Sequence, residues 1–214
     1  MLNVQKERKR LFMSKRVYIS ADYSERNGDR DVVEVLQDWG KDDKHIVEYV
    51  DTAQVVSGSV SEDEDCRPCD LKKEFNNQIN VSSAVIFVIG DKTASRSAGS
   101  SCQRMSEGAG CDCTPYKQNA NGTKKCKHNT TCKPDPDGDI GVINKYSYLE
   151  HEFKQAVKRN KKIIIVYNSL IKQPKWLPDY MSCYEKAAHP FWKESSNGSR
   201  IGDYQFIKTE LGYE

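Results

Sequence analysis

A chain of 214 residues can bury one sizeable core, which fits one domain, with or without an added module. Its 33 basic and 31 acidic residues leave a formal charge of +2, so no global field favours nucleic acid or an anionic membrane surface. No run approaches the roughly 18 apolar residues that a membrane span requires.

The opening "MLNVQKERKRLFMSKR" is basic but has neither the apolar core nor the small-residue cleavage site of a secretory signal. A cytoplasmic protein is therefore expected. Residues 1–13 read as an appendage, and Met13, directly before the first strand, would give a tidier start for a domain over 14–214. In a reducing cytosol the eight cysteines point to metal binding, redox chemistry or inert thiols rather than disulfides. The glycosylation-like triplets at Asn121 and Asn129 are then chance matches.

"RVYIS" (16–20) is a compact β-branched and aromatic run, and predicts the first strand. After a polar loop, Val32, Leu36 and Trp39 recur at helical spacing, with Gly40 placed to cap the helix. "KHIVEYV" (44–50) predicts a second strand. In the next helix Asp70 is the expected N-cap and Leu71, Phe75 and Ile79 form one stripe. "SAVIFVIG" (83–90) is nearly all apolar, as a parallel strand covered on both faces would be, and predicts the centre of the sheet.

From residue 94 to about 142 large apolar residues almost vanish, and the stretch reads as an insertion. Regular structure resumes with a helix over about 147–160, on which Leu149, Phe153, Ala156 and Val157 make the buried stripe. Glu152 stands at the edge of that stripe, Glu150 points elsewhere, and His151 is expected to face solvent. "KIIIVYN" (162–168) predicts another strand, followed by a short Pro-flanked helix near 175–187 and a last helix from "DYQFIKTELG". Alternating strands and helices predict an α/β fold, an open and mostly parallel sheet flanked by helices. Sites in such sheets gather at the carboxyl ends of strands.

No GxGxxG follows the first strand, no GxxxxGK[ST] occurs, and no GxSxG elbow is present, which leaves little for a dinucleotide dehydrogenase, a P-loop enzyme or a serine hydrolase. Cys66 and Cys69 form a C-x-x-C, and Cys102, Cys111, Cys113, Cys126 and Cys132 lie in the insertion. Four of these seven could hold a structural zinc ion, since an insertion without apolar residues needs something else to order it. Their spacing matches no standard zinc ribbon, and free thiols are the equal alternative. Cys183 is isolated and is expected to pack as a small hydrophobe.

The succession "KRVYISADYS", "VEYVDTA", "SSAVIFVIGDKT" and "YSYLEHEFKQAVKRNKKIIIV" resembles the TIR-like domain family typified by the TIR-like protein of the bacterial Thoeris anti-phage system. The resemblance covers about 14–92 and 143–170 and implies a TIR/flavodoxin-like fold. In that family the first strand ends in a serine, an aspartate follows the second strand, the third ends in an IG-x-x-T turn, and the next helix carries Trp-x-x-x-Glu, whose glutamate cleaves NAD. Here these positions hold Ser20, Asp51, Gly90 with Thr93, and Tyr148 with Glu152; tyrosine replaces the usual tryptophan, and the long insertion precedes the helix. The resemblance implies that Glu152 is catalytic and that NAD is the substrate, with Ser20, Asp51 and Tyr148 at the family's positions; beside them Asp22 and Tyr18 or Tyr23, at the first strand and its exit, are the expected further contacts. It also implies an ADP-ribose-derived signal, cyclic or conjugated, sensed by a separate effector protein, with a phage-derived trigger and self-association as further partners. A non-catalytic TIR-like interaction module is the competing expectation, and a flavodoxin-like or nucleoside-processing enzyme a weaker third.

Overall fold

In the computed structural model the described residues are 15–22, 29–41, 47–51, 67–96, 116–118, 124–126 and 147–213. In chain order they form β1 (Lys15–Ser20), α1 (Arg30–Gly40), β2 (Val47–Asp51), α2 (Arg67–Val81) and β3 (Ala84–Ile89). Within the expected insertion, β4 (Tyr116–Gln118) pairs antiparallel with β5 (Lys124–Cys126). Then follow α3 (Tyr148–Lys158), β6 (Lys162–Tyr167), β7 (His189–Pro190), the hairpin β8 (Trp192–Glu194) with β9 (Arg200–Gly202), and α4 (Tyr204–Glu210).

The main sheet has the order β2-β1-β3-β6-β7, and every neighbouring pair in it is parallel. The α/β class read from the sequence is therefore observed. All six residues of β3 are buried, because helices cover both faces of the strand. Strand alternation divides the core into two layers. On one face Val17, Ile19, Ile86, Val88 and Val166 pack with Val32 and Leu36 of α1 and Ile207 of α4. On the other, Tyr18, Val85, Phe87, Ile165 and Tyr167 pack with Ile79 of α2, and with Leu149, Phe153 and Ala156 of α3.

The chain leaves β1 for β2 on one side, and β3 lies on the other. Such a reversal opens a crevice at the carboxyl ends of the two central strands. α3, the helix expected to carry the site, is firmly bounded. Ser147 Oγ accepts from the Glu150 amide at 3.0 Å, which caps the first turn. Asn160, in the left-handed region at φ 51, ends the last turn, with the Lys161 amide donating to the Ala156 carbonyl at 2.9 Å.

Several local expectations are corrected. α2 begins at Arg67, so Asp70 lies inside its first turn rather than at the N-cap. Gly40 is the last helical residue of α1 and Lys41 the cap. The glycine serves close approach instead, since a Cβ there would stand 3.0 Å from the Val47 carbonyl and from the Tyr49 ring. The short helix near 175–187 is two 3-10 turns, Pro174–Trp176 and Asp179–Tyr184. Val157 is 46% exposed and Cys183 is exposed, so neither joins the core. Among the described residues, no helix is long and apolar enough to cross a membrane.

Candidate functional site

Tyr18 and Ser20 are two residues apart on β1, so their side chains leave the same face, at the carboxyl half of the strand. α3 crosses that face. Leu149, Phe153 and Ala156 line one flank of its buried side, while Tyr148, His151 and Gln155 line the other; Glu150 and Lys154 pair on the outside at 2.9 Å. Glu152 lies between the flanks. It is at the middle of the buried arc, not at its edge, and is 2% exposed.

The two strand hydroxyls meet this carboxylate. Tyr18 OH donates to Oε1 at 2.7 Å, and Ser20 Oγ donates to Oε2. Burial pushes the Glu152 carboxyl up to about 7, against the opposing pull of the Ser20 and Tyr18 hydrogen bonds. Near neutral pH such a group is divided between its acid and its carboxylate forms. It can act by proton transfer or as a fixed negative charge, and a dry surrounding strengthens either role.

The rest of the polar flank differs from its sequence-based reading. His151, expected in solvent, is 1% exposed. Its Nε2 lies 2.8 Å from Asn76 Oδ1 of α2. Burial first, then the nearby Lys72 charge, lowers the imidazole to about 3, so it stays neutral. Its position beside Glu152 in sequence hid this, because α2 covers the flank that faced outward in a single-helix projection. Tyr148 lies one turn before Glu152, with its ring edge-on to Phe75 of α2 at 5.7 Å.

The other expected ligand-binding residues do not converge on Glu152. Asp51 is the last residue of β2, not part of a loop, and is 2% exposed. It accepts a hydrogen bond from Gln37 of α1 and pairs in register with Ile19, which faces the layer opposite to Tyr18. Asp22 lies just past β1, held by Arg96 Nε at 2.7 Å. Tyr23 lies outside the described residues. The expected turn after β3 is present, with the Gly90 amide donating to Thr93 Oγ1 at 2.8 Å.

A second polar cluster at the carboxyl ends went unread in the sequence. Asn168, the residue after β6, donates through Nδ2 to Asp29 Oδ1 and to Asp31 Oδ1, both at 3.0 Å, and accepts from Trp192 Nε1 at 2.6 Å. Asp29 is 3% exposed; burial raises its carboxyl to about 7, with the charges of Asp22 and Asp31 adding to the rise and Asn168 opposing it. A polar residue directly after a buried parallel strand was the available signal for Asn168. Asp29 had none, because its partners are remote in sequence.

Of the proposed zinc ligands, Cys66, Cys102, Cys111, Cys113 and Cys132 lie outside the described residues, while Cys69 falls within α2 and Cys126 within β5. Searched against models of known families and against characterised proteins, the chain matches none.

Proposed function

We propose that the chain is a TIR-like enzyme that cleaves NAD, releasing nicotinamide and forming an ADP-ribose-derived signal, cyclic or conjugated, in anti-phage defence. Glu152 is its catalytic residue. The observation that carries this reading is the meeting of Glu152 with Tyr18 and Ser20 on the carboxyl half of β1, beside the point where the strand order reverses. Two residues of the family pattern, Ser20 and Glu152, are thereby in contact, with Tyr18 bonded to the same carboxylate.

The chemistry asks for one carboxylate. Nicotinamide on C1 of ribose is already a cationic leaving group, so its departure needs no general acid, and positive charge builds on the sugar as in an oxocarbenium ion. Glu152 in its ionised form stabilises that charge. Tyr18 and Ser20 fix its direction, and each carboxylate oxygen keeps a further lone pair for a ribose hydroxyl. Because Glu152 is almost wholly buried, substrate entry demands an opening step. A cytoplasmic location, a phage-derived trigger, self-association and a separate effector that senses the product belong to the same reading.

The burial of Glu152, with both oxygens already bonded, favours a second reading: a buried polar pin in a TIR-like interaction module without catalysis. Glu152→Gln separates the two. Its amide preserves shape and can bond both hydroxyls, so the variant is expected to fold and to lose at least about a hundredfold in NAD turnover, the scale of a lost electrostatic group. Nicotinamide release by triggered cells or purified protein measures it. An unchanged rate in the variant would remove Glu152 from the mechanism and leave the pin.

A further inference from the structure

α2 joins β2 to β3 while β1 lies between those strands, so the helix spans β1 on the face where Ile79 packs with Tyr18, the face of Glu152. It runs from the carboxyl ends of the strands back to their amino ends, and it is held differently at its two ends. Its last turn is clamped. Arg16 donates to Gln78 Oε1 at 2.8 Å, Arg159 to Asn80 Oδ1 at 3.0 Å, and Lys161 to the Asn80 and Ser82 carbonyls, both at 2.7 Å. The Ser83 amide, just past the helix, donates to the Arg16 carbonyl at 2.8 Å. Three cations thus surround the negative end of the helix dipole.

The other half, on the side of the carboxyl ends, meets α3 across a polar seam. Ile79, near the clamp, is packed in the core layer, whereas Phe75 packs edge-on against Tyr148 at 5.7 Å. Asn76 meets His151 at 2.8 Å, and Lys72, also buried, is likewise engaged. One turn beyond His151, on the flank that α2 covers, Gln155 is 1% exposed and makes no hydrogen bond through either end of its carboxamide. A buried amide left unpaired costs stability that water would restore. The closed seam is therefore weaker than an apolar one of the same shape, and parting it hydrates Gln155.

We propose that α2 is a lever over the Glu152 site, pivoting on its clamped last turn, and that the parting of its first half from α3 admits the substrate. The turnover arm of the test rests on the reading of Glu152 given above. The lever supplies the opening step which the burial of that carboxylate demands, and it assigns Asn76 and Gln155 to control of access rather than to chemistry.

The test uses full chains of wild type, Gln155→Met and Asn76→Ala. Three quantities are read: melting temperature, carbodiimide-driven amine coupling to Glu152 by mass spectrometry, and NAD turnover. Gln155→Met keeps the length of the side chain and removes the unpaired amide. It should raise the melting temperature by about 3 °C and slow the labelling of Glu152 about fivefold. KM for NAD should rise by the same factor with kcat unchanged, because only the open fraction falls. Asn76→Ala breaks the seam, so it should lower the melting temperature while labelling speeds up and KM falls. In hydrogen exchange of wild type, amides of residues 67–76 should open while 80–83 and α3 stay protected. Labelling and KM unchanged in both variants while the melting temperatures move would overturn the lever and leave the seam as packing. Exchange of α2 and α3 as one unit overturns it too. Labelling that follows the seam in a wild type that neither binds nor consumes NAD upholds the lever and defeats the reading of the site as an NAD-cleaving one.

Discussion

Two hydroxyls on one strand decide what Glu152 can do, because a carboxylate at 2% exposure survives only where its oxygens are met. A residue at the edge of the stripe would tolerate most replacements, whereas a buried one does not. Glu152→Ala empties a buried volume and strands the Tyr18 and Ser20 hydroxyls, so a loss of about 2–4 kcal/mol is expected by denaturant titration. Glu152→Gln should lose far less. The same pair exposes the linkage. A carboxyl raised from 4.5 to about 7 on folding stabilises the folded state fully below pH 4.5, and that stabilisation is lost as pH rises from 4.5 to 7. The glutamine carries no such term. The melting temperature of Glu152→Gln relative to wild type should therefore climb between pH 4.5 and 7.5, while Asp29 and His151 act on both proteins alike. A flat difference would contradict the burial argument. Sequence periodicity placed Glu150 outside correctly but set Glu152 at the edge of the stripe, and it was the resemblance that singled Glu152 out. It misplaced His151, since one helix's stripe says nothing of a second helix lying on its polar flank.

Strands and helices with strong periodicity were legible: β1, β3, β6 and α1 sit within a residue or two of the runs that foretold them. The two-residue β7 and the three-residue strands of the β8–β9 hairpin were not, because segments that short carry no period. Close approaches between elements were equally hidden. At Gly90, which follows β3, a Cβ would stand 2.6 Å from Asp29 Oδ1, and Asp29 is itself held by Asn168. Gly90→Ala is expected to cost about 1–3 kcal/mol as the carboxylate is forced aside. In a double-mutant cycle the cost should shrink when Asp29 is shortened to alanine. Thermal melting of the four proteins checks it, and strict additivity would mean that the two groups do not compete for space.

For the molecule as a whole, the class of sheet followed from the alternation of elements. The two-layer core also followed, because strands without polar alternation must be covered twice. What ties the last third of the chain to the first could not be read. Asn168 joins β6 to Asp29, Asp31 and the β8 residue Trp192, over which Arg200 stacks at 4.3 Å while donating to Asp31 at 2.8 Å. Asn168→Ala should destabilise the whole domain by about 2–3 kcal/mol, with one cooperative transition, because it strands a buried carboxylate and an indole N–H together. A change confined to the hairpin, read by hydrogen exchange, would show that this knot is only local. A second tie lies at the opposite, amino ends of the strands. Lys15, the first residue of β1, donates to the Leu211 carbonyl and stands 4.6 Å over the Tyr213 ring. Residues 15 and 213 are neighbours at the amino end of a strand whose other end, about 17 Å away, bears Ser20. The two ends of the described fold therefore meet on the side of the sheet remote from Glu152, a full strand length from the hydroxyls that hold it.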